Sequence, residues 1–177
     1  MEPNRIIFPG KIHLIVSDQQ LSAVQTELLQ AKAFGFDTET KPSFKKGDVF
    51  KVALVQLSTD TDAYLIRLHT MRNFDLIKAI FEDNQVLKVG LAIRDDLKQL
   101  QKIFTFSPQN FIELQDIAKK KGLQNFGLKG MAAEVLQGAL SKGPKLTNWE
   151  AAHLTDSQLM YAATDAWIGL TLYRKLL

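Results

Sequence analysis

The sequence predicts an α/β domain in which a mixed β-sheet is flanked by α-helices. Three observations favour this class: short apolar runs come early in the chain, strand patterns then alternate with helical ones, and helical spacing dominates the last part. With 177 residues, of which 46% are hydrophobic, the chain has the size and composition of one globular domain. We therefore expect residues 1–177 to form a single domain.

The first half of the chain has the pattern of an antiparallel meander. Lys11–Val16 predicts a strand, and Gln19–Ala31 carries apolar residues at helical spacing, with Asp18 at the capping position. The turn-forming segment Ser58–Asp62 separates two of the three apolar runs that come next. These runs predict neighbouring antiparallel strands at Ala33–Thr38, Val52–Leu57 and Ala63–Leu68.

The second half alternates strand and helix patterns and ends in a long helix. Thr155 and Gln158 have the spacing of a capping box at the start of that helix. Lys41–Asp48 and Ala139–Asn148 lack apolar periodicity and predict extended loops. Strands are predicted at Gln85–Gly90 and Asn110–Glu113, and helices at Asn73–Glu82, Arg94–Phe104, Gln115–Lys121, Leu128–Leu136 and Asp156–Leu177.

Composition limits the kinds of site and partner. There are no cysteines and only three histidines, which excludes disulfides and thiolate zinc sites, so the ligands of any bound metal should be oxygens. The net charge of +3 would help to attract a polyanion. No segment approaches the roughly 20 apolar residues that cross a bilayer, so we expect a soluble, cytoplasmic protein with no membrane partner.

Two acids close the strand that begins at Ala33. Asp37 and Glu39 are two residues apart, so both carboxylates project from the same face of the sheet. A cation between them would relieve their repulsion. The alternative is that this pair only marks a strand running into a solvated loop.

Helical periodicity distinguishes two neighbouring acids, Asp95 and Asp96. Asp95 shares its helix face with Lys98, which is typical of a solvated surface. Asp96 lies above Leu100 and Ile103 on the face that turns toward the core. We therefore assign the functional role to Asp96, although a register shift of one residue would exchange the two.

The last helix carries Tyr161 and Asp165 four residues apart, so their side chains point into the same region. The alternative is a core tyrosine beside an acid that hydrogen-bonds a neighbouring backbone group. Ala162, Ala163 and Ala166 are small enough to let this helix approach the sheet and bring Asp165 toward the first acids.

Four acids on structured elements form an oxygen-only ligand set, which suits Mg²⁺ or Mn²⁺. Two such ions, roughly 3.5 to 4 Å apart, can activate a water and stabilise the leaving oxygen of an in-line phosphoryl displacement. Phosphodiester hydrolysis is the reaction that uses this arrangement most directly.

Three motifs in order carry a resemblance to a known family. Phe36–Thr40, Val89–Leu97 and Tyr161–Ala166 resemble the motifs of the DEDDy-type 3′→5′ exonucleases, the ribonuclease D type within the ribonuclease H-like fold. The similarity extends from about Ala33 to Arg174. It implies a ribonuclease H-like mixed sheet and a two-metal-ion enzyme that releases nucleoside monophosphates from the 3′ end of DNA or RNA.

The resemblance also implies a role for each site residue. Asp37, Glu39 and Asp165 would bind the first metal and its attacking water, and Asp37 and Asp96 would serve the second. Tyr161 would orient that water, because a tyrosine with a pKa near 10 is a poor general base at neutral pH. Since the sequence shows no helicase segment or accessory helical domain, we expect substrate choice to come from this domain, from self-association or from a partner.

Two segments mix cations with aromatic rings, a combination suited to phosphates and terminal bases. The first is the loop between Lys41 and Lys51, and the second precedes the last helix. For the first, a solvated loop with one ring in the core is the alternative. The candidate nucleic-acid contacts are Phe44, Lys45, Lys46, Phe50, Lys142, Lys145 and Trp149.

Two other functions stay open at this point. One is a ribonuclease D-like enzyme that trims the 3′ ends of small RNAs, which shares the chemistry and differs in substrate. The other is a catalytically silent module that binds nucleic acid, although no expected acid is missing. The sequence does not separate DNA from RNA, because a contact with a single 2′-hydroxyl would make that distinction.

Overall fold

The computed structural model describes residues 4–141, 143 and 147–177, which form eight strands and seven α-helices. The strands are β1 (Asn4–Ile6), β2 (Lys11–Ile15), β3 (Ala33–Thr40), β4 (Val52–Ser58), β5 (Asp62–Arg67), β6 (Leu87–Gly90), β7 (Phe111–Glu113) and β8 (Gly138–Leu140). The helices are α1 (Asp18–Ala23), α2 (Gln25–Gln30), α3 (Asp75–Glu82), α4 (Ile93–Leu100), α5 (Leu114–Lys120), α6 (Leu128–Leu136) and α7 (Asp156–Leu176).

Six strands form one mixed sheet in the order β2-β5-β4-β3-β6-β7. The predicted meander is confirmed, because β4 pairs antiparallel with both β3 and β5. The other three neighbours pair parallel, as βα units require. The sheet therefore matches the predicted class, and β3 lies inside it with partners on both sides.

The predicted helix at Gln19–Ala31 is divided in two. Val24 leaves helical geometry at φ −107° and ψ 11°, which separates α1 from α2. The predicted cap was also wrong, because Ser17 accepts the capping hydrogen bond from the amide of Gln20. Asp18 instead accepts hydrogen bonds from the backbone of Arg72 and Asn73, so its carboxylate joins α1 to the segment before α3.

A second sheet lies where the sequence predicted a loop. β8 begins at Gly138 and pairs in parallel with β1, so the extended loop predicted from Ala139 is wrong over its first residues. Each of these strands has only three residues, too few to show an alternating pattern. Helix α4 also ends at Leu100, earlier than predicted, and the chain continues as turns to Phe104.

Helix α7 packs closely against the centre of the sheet. A Cβ atom added at Gly35 on β3 would lie 1.8 Å from the carbonyl oxygen of Ala166, so the strand and the helix backbones touch there. Ala162, Ala163 and Ala166 are buried at this contact, which confirms that small side chains allow the approach. No helix in the described ranges is long and apolar enough to cross a membrane.

Candidate active site

The end of β3 presents two carboxylates to one face of the sheet. Asp37 lies opposite Gln56 of β4 in the antiparallel ladder, and Glu39 follows two residues later. The strand continues to Thr40, with an irregular register after Glu39. Because β4 pairs with β3 from Gly35 to Thr40, the two acids are fixed by the sheet rather than by a loop.

Helix α7 brings a third carboxylate to this pair. Oxygen atoms from Asp37, Glu39 and Asp165 all lie within 4.8 Å of one another. The close contact between Gly35 and Ala166 explains this convergence, because Ala166 directly follows Asp165. Three carboxylates at this separation provide oxygen ligands for one divalent cation.

The fourth acid is placed beside the group of three. Asp96, in the first turn of α4, accepts a 2.6 Å hydrogen bond from the hydroxyl of Thr38. Thr38 stands between Asp37 and Glu39 on β3, so this bond joins α4 to the strand that carries the first two acids. Burial raises the pKa of Asp96 to about 6. Asp95 is exposed and contacts Gln99, as the helical pattern predicted for a solvated face.

The electrostatics of the acid group indicate a cation site. Burial, followed by repulsion from Asp37 and Asp165, raises the pKa of Glu39 to about 9. Gln56 opposes this shift, because its Nε2 donates to Glu39 Oε1 at 3.4 Å and also to the carbonyl oxygen of Ala162 at 3.3 Å. A divalent cation would remove the repulsion that resists ionisation, so the donor set fits a metal.

Tyr161 lies one helical turn before Asp165 and lines the same cavity. Burial, and then the neighbouring charge of Asp165, raises the pKa of its hydroxyl above the usual range. The phenol therefore keeps its proton at neutral pH. Gly143 covers the ring, since a Cβ atom there would lie 2.5 Å from Tyr161 Cδ2.

The prediction that Trp149 contacts nucleic acid is wrong. Its side chain is completely buried, and its ring packs 6.3 Å from that of Tyr161. The indole is thus part of the support behind the tyrosine and offers no surface to a ligand. Of the other contacts predicted in this segment, Lys142 and Lys145 lie outside the described residues.

The loop between β3 and β4 has the exposure expected of a binding surface. Phe44 is 80% exposed, and Lys45 and Lys46 are exposed beside it. Phe50 is half-buried, with the Lys41 ammonium 4.8 Å from its ring centroid. The loop leaves the strand directly after the first two acids, but its residues, all of them described, are not among those lining the cavity.

Asp37, Glu39 and Asp165 open into a cavity of about 530 Å³, whereas Asp96 is not among the residues that line it. Another part of its wall comes from the start of α6 and from the end of β8. This part of the wall was not predictable, because nothing in the sequence distinguishes one lysine near a helix start from an ordinary surface lysine. The wall residues are Gly127, Leu128, Lys129, Gly130, Leu140 and Ser141.

A family model described as 3′-5′ exonuclease matches residues 12–177. Among individual proteins, the chain is 32% identical over 179 residues to the bifunctional 3′-5′ exonuclease/ATP-dependent helicase WRN of Mus musculus. It is 30% identical over 168 residues to ribonuclease D of Haemophilus influenzae. These matches cover 96% and 93% of this chain, but only 13% and 41% of the two relatives.

Solved structures show the same fold. The Nibbler EXO domain of Aedes aegypti superposes with a TM-score of 0.84 at 26% identity, covering 93% of this chain and 86% of that one. Ribonuclease D of Escherichia coli also gives 0.84, at 28% identity, covering 93% of this chain and 44% of that one. With the family match across both the sheet and α7, the chain belongs to the 3′-5′ exonuclease family.

Proposed function

We propose that residues 1–177 act as a single metal-dependent 3′→5′ exonuclease domain that removes nucleoside monophosphates from the 3′ end of DNA or RNA. The observation that carries the proposal is the convergence of Asp37, Glu39 and Asp165 within 4.8 Å, beside Tyr161 in an open cavity. Oxygen-only ligation favours hard cations, so Mg²⁺ and Mn²⁺ are the expected cofactors.

Each site residue has a distinct task in this proposal. Asp37, Glu39 and Asp165 would hold one ion, and Asp37 together with Asp96 would hold a second. Bound there, the ions would lower the pKa of the attacking water and neutralise charge on the leaving oxygen. Burial and the neighbouring Asp165 raise the pKa of Tyr161 above its usual range, so its protonated hydroxyl is suited to orient the water by hydrogen bonding rather than to act as the base.

Substrate would reach the acids through the cavity. Lys129 lines the same cavity as the carboxylates and would offer a cation to a phosphate of the bound nucleic acid. Phe44, Lys45 and Lys46 are exposed on the loop after β3 and would contact the bound nucleic acid further from its 3′ end. Phe50, Lys142 and Lys145 complete the proposed set of contacts.

The test uses 5′-labelled single-stranded DNA, recessed duplex DNA and RNA, each incubated with Mg²⁺, Mn²⁺ or a chelator. We expect a ladder that shortens from the 3′ end, stops with chelator and is absent for Asp37→Ala. A circular single-stranded DNA is the matched substrate control, because it has no end and must stay intact.

The substrate arms also separate the other two functions. Preference for RNA would favour trimming of RNA 3′ ends, and the Haemophilus relative is named a ribonuclease. Binding of all substrates without shortening, in the presence of either metal, would support the catalytically silent module and refute the exonuclease.

A further inference from the structure

Glu113, at the end of β7, has a carboxylate that gathers three backbone amides from two helix starts. Its Oε1 accepts hydrogen bonds from the amide of Ala92 at 2.8 Å and from that of Gln115 at 3.1 Å. Its Oε2 accepts a third from Ile93 at 2.8 Å. Hydrogen bonds to an ionised carboxylate are short and strong, so this contact fixes the start of α4 against the end of β7.

The backbone at this contact needs such support. Ala92 precedes α4 in the left-handed conformation, with φ 54° and ψ 45°, and its own side chain makes no capping hydrogen bond. A non-glycine residue is disfavoured there, because its Cβ crowds the following carbonyl oxygen. Such a conformation persists where surrounding contacts hold it, and Glu113 binds both the amide of Ala92 and the next one.

The first turn of α4 also carries Asp96. That residue lies three positions after Ile93 and reaches the active site through its bond to Thr38. A rotation of the helix start would therefore displace the Asp96 carboxylate from the group of three acids. The carboxylate bonded to this helix start is that of Glu113, 17 positions along the sequence from Asp96.

We propose that Glu113 is a positioning residue, which clamps the Ala92 and Ile93 amides and so keeps Asp96 in register for a second divalent ion. The inference rests on the proposed function, in which Asp96 helps to hold that ion. Groups that orient metal ligands commonly contribute about 10- to 100-fold to affinity or activity when they are removed.

The test measures binding of Mn²⁺ alone to the full chain by calorimetry, with kcat and KM for a DNA oligonucleotide in parallel. We expect wild type to bind two ions, and Glu113→Ala to keep one and weaken the other by about 10- to 100-fold. The kcat should fall by a similar factor, while KM for the oligonucleotide should change little. Glu113→Gln is the second variant, for use if Glu113→Ala does not fold. It keeps the shape of the side chain and one acceptor oxygen, so we expect an intermediate loss of affinity for the second ion.

Asp18→Asn is the matched control, because Asp18 also joins distant segments by accepting two backbone amides and lies outside the acid group. It should lower the melting temperature without changing Mn²⁺ binding. Ala92→Gly in the Glu113→Ala background should recover part of the affinity for the second Mn²⁺ ion, since glycine adopts the left-handed conformation readily.

Two results would overturn the proposal in distinguishable ways. Binding of two ions with unchanged affinity by folded Glu113→Ala and Glu113→Gln would refute the clamp and leave the proposed function intact. Failure of wild type to bind any pair of ions would refute the two-metal function, and the role of Glu113 with it.

Discussion

Asp95 and Asp96 are adjacent acids with different surroundings, and they provide a matched pair of substitutions. Asp96 is half-buried and bonded to Thr38, whereas Asp95 is exposed on the outer face of α4. We expect Asp96→Ala to lower kcat by at least about 100-fold, because a metal site supplies several kcal/mol of stabilisation and each 1.36 kcal/mol is tenfold in rate. Asp95→Ala should stay within about twofold of wild type.

The measurement is the initial rate of 3′-end shortening at saturating DNA, with circular dichroism to verify folding. Equal losses in the two variants would contradict the assignment of Asp96. A large loss in Asp95→Ala alone would mean that the helix presents the other acid to the site.

Gln56 is a residue whose replacement should affect activity more than stability. It is fully buried, donates to Glu39 and leaves its own Oε1 without a partner among the described residues. Gln56→Leu removes this donor, so Glu39 is held less well and should bind metal more weakly. We expect kcat to fall by about 10- to 100-fold. The melting temperature of the metal-free protein should fall only slightly, because the bonds to Glu39 and Ala162 are lost but the unpaired Oε1 is removed with them.

Calorimetry of unfolding and steady-state kinetics measure the two effects separately. Ser58→Ala, which alters another buried polar side chain on the same strand, is the control and should leave kcat unchanged. A large loss of stability together with the loss of activity in Gln56→Leu would indicate a purely structural glutamine.

The contact between β3 and α7 determines the distance between the first and last acids. At Gly35 a Cβ atom would lie 1.8 Å from the Ala166 carbonyl oxygen, so Gly35→Ala must push the two elements apart. We expect a shift on the order of 1 Å, which can reduce a reaction rate by about 100-fold when reacting groups are misplaced. The added strain should also cost about 1–3 kcal/mol of unfolding free energy.

Gly169→Ala tests whether the losses expected for Gly35→Ala come from crowding rather than from the loss of a glycine. On the same helix, a Cβ atom at Gly169 would make an ordinary 3.6 Å contact with the Val89 carbonyl oxygen. Alanine favours a helix interior by about 1 kcal/mol over glycine, so this variant should be at least as stable as wild type. Denaturant titration and Mn²⁺ binding measure both variants, and intact metal binding in Gly35→Ala would contradict the argument.

Elements with a long local pattern were predictable from the sequence. The meander follows from three successive apolar runs, two of them separated by a turn-forming segment. The capping box of Thr155 and Gln158 is present because both partners lie within one helical turn. The bounds of α6 agree with the sequence prediction for the same reason. Periodicity also separated Asp95 from Asp96, since one helix face is solvated and the other is not.

Features that depend on contacts distant in sequence were not predictable. Strands β1 and β8 form because they pair with each other, and neither has a local pattern. Trp149 resembles a surface aromatic next to lysines, and only tertiary packing shows that it supports Tyr161. The role of Glu113 was also not predictable, because the three amides that it accepts from belong to segments that the sheet brings together.

At the scale of the whole molecule, the acids join parts of the chain that lie far apart in sequence. Asp37 and Glu39 belong to the central strand, Asp96 to the middle of the chain and Asp165 to the last helix. Ions bound among them would cross-link these parts, so metal binding should stabilise the fold against global unfolding. At a concentration 100-fold above Kd, a ligand that binds only the folded state adds about 2.7 kcal/mol.

This stabilisation should depend on pH in a definite direction. Glu39 has a folded-state pKa of about 9 against 4.5 in the unfolded chain, so its stabilising contribution is present below pH 4.5 and is lost as pH rises toward 9. The metal-free protein is therefore penalised most at alkaline pH. Cations bind the ionised carboxylates and offset that penalty, whereas protons compete with them at low pH.

We expect saturating Mg²⁺ to raise the melting temperature by roughly 5–10 °C at pH 8 and by clearly less at pH 5.5. The value at pH 8 follows from about 2.7 kcal/mol of stabilisation and about 2–4 °C per kcal/mol. Glu39→Gln should melt higher than wild type at pH 8 without metal, because glutamine does not have to take up a proton on folding as Glu39 does at this pH. The same variant should lose most of the increment with Mg²⁺. Differential scanning calorimetry with and without chelator measures both. Equal increments at the two pH values would show that the ions bind elsewhere than at these carboxylates.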